Sequence, residues 1–263
     1  MDYRLFVYGT LRRGEINHGL LDASPCESLV AWVSGSLVDT GRGYPAITKG
    51  PGMVCGEIYR VDRDTLAHID DLEDYYGPGD PRNLYERVET KALTDRGEVD
   101  VLVYVSDRFG TGSAIPYGEW KLYRMMRKRS LPYFAYGHCT DDARFKKALA
   151  EKWFGDAIGR GTVCGCNLQF TRHPPNGGRA DKLETGGVTE GELYRMPADA
   201  MARYLDVREG SYAGICRPAV VPVTMDNGEV VDAVTFVIVE EQPDPAPPRI
   251  IPNICRDTGS CGS

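Results

Sequence analysis

The sequence predicts an α+β fold in which one small, strand-rich domain occurs twice in tandem. Three observations carry that expectation. Segments of the first half recur in the second half in the same order. Short β-type runs bounded by turn residues outnumber helical stretches, and the helices are short. Neither GxGxxG nor GxxxxGK[ST] occurs, so a doubly wound nucleotide fold has no support.

The repeat decides the organisation of the 263 residues. Leu5 to Thr10 (LFVYGT) matches Tyr133 to His138 (YFAYGH), and Gly56 to Val61 (GEIYRV) matches Gly191 to Met196 (GELYRM). Leu66 to Glu73 (LAHIDDLE) matches Ala202 to Glu209 (ARYLDVRE), and Arg96 to Asp100 matches Asn227 to Asp232. The offsets all lie between 128 and 136 residues, too long for a solenoid period and long enough for each copy to hold its own core. The expected division is a first domain at 1–107, a linker at 108–131, a second domain at 132–241 and a proline-rich tail at 242–263.

Each copy opens on a β-type run (Arg4–Val7, Tyr133–Ala135) that breaks at Tyr-Gly. A loop, a short helix and strands follow. Next come a strand (Val54–Val61, Val188–Met196) and a short helix (Thr65–Glu73, Asp199–Arg208). A strand–turn–strand unit closes the copy: Arg87–Leu93 and Val99–Val105 around Asp95 to Gly97, then Ala219–Thr224 and Val230–Val239 around Asp226-Asn227-Gly228. Between the copies, Glu119 to Arg129 reads as a short basic helix ending before Pro132. Its Trp120, Leu122, Tyr123 and Met126 are suited to packing on one domain, with Arg127 to Arg129 as a solvated face. Trp32, Trp120 and Trp153 read as core or interface anchors.

Composition narrows the function. Lys+Arg 31 against Asp+Glu 38 gives a net charge of −7, which argues against nucleic acid or an anionic membrane as partner. No apolar run reaches the ~18 residues of a transmembrane helix. The first residues lack the apolar core and cleavage site of a signal peptide, so a cytoplasmic location is expected. Eight cysteines are too few for a disulfide scaffold. The one close pair, Cys164 and Cys166, reads as alternate positions of a strand, so no metal site is expected.

Two features in each copy carry chemistry. The first is the turn after the first strand: Tyr8, Gly9, Thr10 and Leu11, and their counterparts Tyr136, Gly137, His138 and Cys139. Glycine there permits close approach of a ligand to the backbone, and successive N–H groups form an anion nest. The second is a glutamate at the end of the short helix. Leu66, Ile69 and Glu73 share one helix face, as do Met201, Leu205 and Glu209. A carboxylate on the core-facing stripe is costly unless paired or used, and burial raises its pKa toward that of a general acid or base. The neighbouring Asp70, Asp71, Asp74 and Asp206 are expected to face solvent.

These residues also carry a resemblance. Leu5 to Gly14 (LFVYGTLRRG) with Asn17 and His18, Thr40 to Ala46 (TGRGYPA), Gly56 to Arg60 and Ile69 to Glu73 resemble the γ-glutamylcyclotransferase family, in its AIG2-like and γ-glutamylamine cyclotransferase branch. The match spans most of residues 1–107. The second copy resembles the same superfamily more distantly, and the tandem resembles two-domain bacterial members. The resemblance implies a small domain built on a mixed β-barrel, acting on a small-molecule γ-glutamyl substrate without metal or organic cofactor. Attack of the substrate's α-amino group on its γ-carbonyl would release an amine or amino acid and 5-oxoproline. Glu73 and Glu209 would be the general acid/bases, and the Tyr8–Leu11 and Tyr136–Cys139 turns would supply N–H donors.

The copies depart from each other. Asp74 stands where a glycine often follows the glutamate. His138 and Cys139 replace the small or polar residues usual in the turn. The second copy therefore has three readings: a second active site, a ligand-binding domain without turnover, or a packing partner. For Arg13 and His18, substrate contact and local capping are equal alternatives. Tyr85 and Arg87 lie close enough in sequence to the glutamate for pocket contacts. A non-catalytic small-ligand module on the same scaffold is the alternative for the whole chain. The substrate's identity and the oligomeric state are not encoded in any motif.

Overall fold

Leu5, Phe6 and Val7 form a fully buried run, as expected of a strand covered on both faces. They belong to β1 (Tyr3–Val7), which opens a closed five-stranded ring in the computed structural model. The structure describes residues 2–136, 146–148, 151–164, 169–170, 187–209 and 216–239. β1 pairs antiparallel with β3 (Pro45–Val61), Leu5 opposite Tyr59, and parallel with β5 (Gly97–Val105), Leu5 opposite Leu102. β5 pairs with β4 (Glu86–Thr94), β4 with β2 (Cys26–Asp39), and β2 with β3, closing the barrel in the order β3-β1-β5-β4-β2. A two-residue strand, β6 (Ser113–Ala114), extends β2. The helix α1 (Arg63–Leu72) follows β3.

The second half repeats this circuit strand for strand. β7 (Ser130–Tyr136) is antiparallel to β10 (Val188–Pro197), Tyr133 opposite Tyr194, and parallel to β12 (Val230–Val239), Tyr133 opposite Val234. With β11 (Cys216–Met225) and β8 (Ala157–Cys164) the ring closes as β10-β7-β12-β11-β8, and β9 (Gln169–Phe170) adds to β12. The helix α3 (Ala198–Glu209) occupies the place of α1. The chain is thus two five-stranded mixed barrels with few, short helices.

One packing device is duplicated with the fold. A Cβ on Gly56 would stand 2.4 Å from the Val7 carbonyl oxygen and 2.5 Å from the Phe6 ring. A Cβ on Gly191 would stand 2.4 Å from the Ala135 oxygen and 2.7 Å from the Phe134 ring. The glycine of the repeated Gly-Glu-x-Tyr-Arg run lets an aromatic ring of each copy's first strand pack directly against the neighbouring backbone.

The linker helix corrects the expected packing. It is shorter than read from sequence, α2 (Trp120–Met125), capped by the Glu119 carboxylate, which accepts from the Leu122 N–H. It serves both barrels rather than one, because its apolar residues point two ways. Trp120 joins the core of the first barrel, whereas Leu122 and Met125 join that of the second. Beside it, Val30, Trp32 and Cys55 of the first barrel form one buried cluster with Phe134, Tyr136, Val163 and Val221 of the second. Trp32 is an interface anchor, and Trp120 bridges through the linker.

Candidate functional site

α1 begins where the Asp62 side chain accepts from the Thr65 N–H at 2.8 Å, a standard N-cap. Leu66 and Ile69 are buried in the barrel core, as their spacing requires. The helix stops because Asp74 takes φ +49°, the left-handed conformation that ends helices. Glycine suits that position best, and a short polar side chain is the usual substitute. Glu73 is therefore the last residue before the chain reverses, with its N–H donating to the Ile69 carbonyl at 3.0 Å.

The helix end is braced from the barrel wall. Asp70 accepts a hydrogen bond from the Tyr104 hydroxyl at 2.7 Å and forms an ion pair with Arg87. The Arg87 guanidinium also lies over the Tyr75 ring, 4.8 Å from its centre. Asp70 thus corrects the expectation that it faces solvent: two β-strand residues reach up to it. Asp71, Asp74 and Asp206 are exposed as expected.

A cavity of about 350 Å³ opens beside this helix end, a size suited to a small ligand. Tyr8, Gly9, Thr10 and Leu11 line one wall, and Glu73 with Leu72 and Asp74 lines another. Tyr44, Pro45, Leu84, Tyr85 and Tyr104 line much of the remainder, with Asn17 beside Thr10. Burial, and then the Asp74 charge, push the Glu73 carboxyl up to about 7. Glu73 makes no ion pair or side-chain hydrogen bond with any described residue, so none of these offsets that burial.

The Tyr-Gly turn is held from several sides. The Tyr8 hydroxyl donates to the Tyr104 carbonyl at 2.8 Å and accepts from the Ile47 N–H at 3.3 Å. Burial, and then Tyr85 and Glu73, hold its pKa well above the ordinary phenol value, so it stays a donor. Gly9 abuts Pro45, whose Cδ would be 2.9 Å from an added Cβ. Asn17 donates from Nδ2 to Thr10 Oγ1 at 3.0 Å, and the His18 ring Nδ1 donates to the Leu11 carbonyl at 3.0 Å. The N–H groups of Gly9, Thr10 and Leu11 have no acceptor among the described residues. They remain available to a ligand.

The five residues singled out in the first copy therefore meet at one cavity. Of the open alternatives, His18 caps the turn and Arg13 uses its N–H on Glu57 at 2.9 Å; neither lines the cavity. Tyr85 lines it and donates to the Pro45 carbonyl at 2.9 Å, while Arg87 stands behind Asp70. Tyr104, Leu72 and Leu84 also line the cavity and carry no signal in the sequence. Only the barrel register, which sets Tyr104 opposite Arg87, reveals Tyr104.

In the second copy, Tyr136 repeats the first: its hydroxyl donates to the Phe236 carbonyl at 2.8 Å. Met201 and Leu205 are buried. Gly137, His138 and Cys139 lie outside the described residues, as does the Glu209 side chain, although Glu209 closes α3. Cys164 is exposed at the end of β8, and Cys166 lies outside the described residues. So does the whole tail at 242–263.

The chain as a whole is similar to known proteins. The family described as "Gamma-glutamyl cyclotransferase, AIG2-like" matches residues 5–122. A Bacillus subtilis protein named "Putative gamma-glutamylcyclotransferase YkqA" is 36% identical over 255 residues, covering 95% of this chain and 88% of its own length. The crystal structure of YkqA superposes with a TM-score of 0.71 over the same shares of the two chains. A Niallia circulans protein, "Gamma-L-glutamyl-butirosin B gamma-glutamyl cyclotransferase", is 44% identical over 121 residues, 46% of this chain and 77% of its own.

Proposed function

The chain belongs to the γ-glutamyl cyclotransferase, AIG2-like family, and from that premise we propose that its first barrel cyclises a γ-glutamyl amine or γ-glutamyl amino acid. The products are 5-oxoproline and the free amine. The observation that carries this reading is the half-buried Glu73, without a side-chain partner among the described residues, facing backbone N–H groups equally without an acceptor among them across one small cavity.

The substrate brings both reacting groups. Its α-amino nitrogen attacks its own γ-carbonyl carbon, a five-membered ring closes, and the bond to the leaving amine breaks. Because attack is intramolecular, the site's task is to fold the substrate and move protons. The α-ammonium must lose a proton before attack. Glu73, with its pKa near neutrality, takes it as carboxylate and returns it to the departing nitrogen as acid; the regenerated carboxylate then takes the second proton from the ring nitrogen, which keeps one hydrogen as the lactam N–H. The N–H groups of Gly9, Thr10 and Leu11 receive the developing oxyanion and the α-carboxylate. Leu72 and Tyr44 lie on the lining and suit the leaving group.

The reaction is assigned to the first barrel because the brace behind Glu73 is not repeated at the matching register positions among the described residues of the second. Strand register sets Phe236 opposite Pro218, where the first barrel sets Tyr104 opposite Arg87. Neither the Phe236 nor the Pro218 side chain can bind a carboxylate on α3, and Asp206 is exposed.

Incubation of the protein with a panel of γ-glutamyl amines and amino acids tests the reading. It predicts equal amounts of 5-oxoproline and free amine. Binding without product would favour a ligand-binding module, and glutamate in place of 5-oxoproline would indicate hydrolysis instead.

A further inference from the structure

Arg12 follows the Gly9–Leu11 turn directly and is fully buried. Its N–H closes the turn on the Gly9 carbonyl at 3.1 Å. Its guanidinium does not line the cavity. Nε donates to Glu57 at 3.0 Å, one terminal nitrogen to Glu119 in the linker at 2.5 Å, and the other to the Val220 carbonyl of the second barrel at 3.3 Å. Burial works against its charge, but Glu119 and then Glu57 outweigh it and hold the pKa above arginine's ordinary value.

A second connection runs alongside. Asp232, on β12 of the second barrel, pairs with Lys121 at 2.5 Å. Lys121 is itself buried, and its Nζ donates to the Arg13 carbonyl at 2.8 Å. Glu57 completes the frame by accepting the Arg13 N–H. The chain just past the turn is therefore tied on both sides to groups that the second barrel supplies or completes. Buried charges of this kind are stable only while every partner is present.

We propose that the second barrel is a positioning element for the Gly9–Leu11 turn of the first, acting through Arg12 and through the Asp232–Lys121 pair. This rests on the assignment of that turn as the oxyanion site. Peptide N–H groups stabilise a developing charge only when aimed at it, and displacement by about 1 Å costs rate on the order of 10²-fold. Loops on a surface do not hold such a position unaided. The turn is fixed at its start by Tyr8 on Tyr104, and at its end by the neighbouring barrel. Arg12, Lys121 and Asp232 are positioning residues, since none of them lines the cavity.

The full chain carrying Asp232→Ala, Asp232→Glu or Arg12→Lys tests this. Two readouts are followed: steady-state 5-oxoproline release, and amide hydrogen exchange over residues 8–14. Asp232→Ala should lower kcat roughly tenfold, a fraction of that misplacement cost. It should leave the acid limb of the pH profile in place and speed exchange in the 8–14 segment. Asp232→Glu should restore both. Arg12→Lys should behave as Asp232→Ala or worse. Wild-type turnover and wild-type exchange in both Asp232→Ala and Arg12→Lys would overturn the proposal. If the wild-type protein releases no 5-oxoproline, the functional reading fails by itself, and exchange alone then decides whether the second barrel holds the turn.

Discussion

The Tyr104 hydroxyl and the Asp70 carboxylate are hydrogen-bonded at 2.7 Å, and this contact joins the barrel wall to the helix that ends in Glu73. Tyr104 works at both ends. Its backbone carbonyl receives the Tyr8 hydroxyl, and its side chain reaches Asp70. One residue of β5 thereby links the turn and the glutamate on two sides of the cavity. In the second barrel the carbonyl half of this arrangement persists at Phe236, and the hydroxyl half is gone.

Tyr104→Phe keeps the packing and removes one hydrogen bond to a carboxylate. Its expected cost in unfolding free energy is about 1–2 kcal/mol, read by urea titration. Turnover should fall as well, since the helix end loses a support. Arg87→Ala should be more severe, because it leaves Asp70 half-buried without its counter-charge.

The acid limb of kcat/KM should lie near pH 7, where Glu73 becomes carboxylate. Asp74 raises that pKa as the second cause after burial. Asp74→Asn removes the charge and retains a residue that tolerates the left-handed backbone. The limb should therefore move to lower pH. A limb that stays in place would remove Asp74 from the account of Glu73's acidity.

Much of this was legible in the sequence, and the reasons are local. Four in-register repeats disclosed two copies of one fold, because Gly56 and Gly191 answer the same steric need. The inward glutamate showed in the spacing of Leu66, Ile69 and Glu73 on one helix face. Asp70 escaped that reading. Its partners Tyr104 and Arg87 lie on strands that become neighbours only when the barrel closes, and helix periodicity cannot show them. Arg12 escaped for the same reason: its three acceptors come from β3, the linker and the second barrel. The two-way packing of α2 was hidden because six residues carry apolar side chains on more than one face.

Glu73 also links stability to pH. Its folded pKa of about 7 stands above the ordinary 4.5, so between those values the native state binds more protons than the unfolded one. Stability is then fully present below about pH 4.5 and is lost as pH rises through about 7. Glu73→Gln removes the penalty. The variant should be more stable than wild type at pH 8, by on the order of 1–3 kcal/mol, and no more stable at pH 4. Thermal unfolding at the two pH values measures this, and equal shifts at both would contradict it.

Gly56→Ala and Gly191→Ala should each cost about 3 kcal/mol or more, because the new methyl meets a backbone oxygen that cannot rotate away. Equal damage from both, measured by denaturant unfolding, is expected from the duplicated geometry. Tolerance of either one would mean that strand spacing relaxes there.

The most direct test of the central claim is 5-oxoproline release by the full chain carrying Glu73→Gln or Glu209→Gln, each assayed alone on the best γ-glutamyl substrate. Loss of roughly 10²-fold or more in kcat with Glu73→Gln is predicted, with Glu209→Gln close to wild type. Undiminished turnover in Glu73→Gln would contradict the assignment of the reaction to Glu73 in the first barrel.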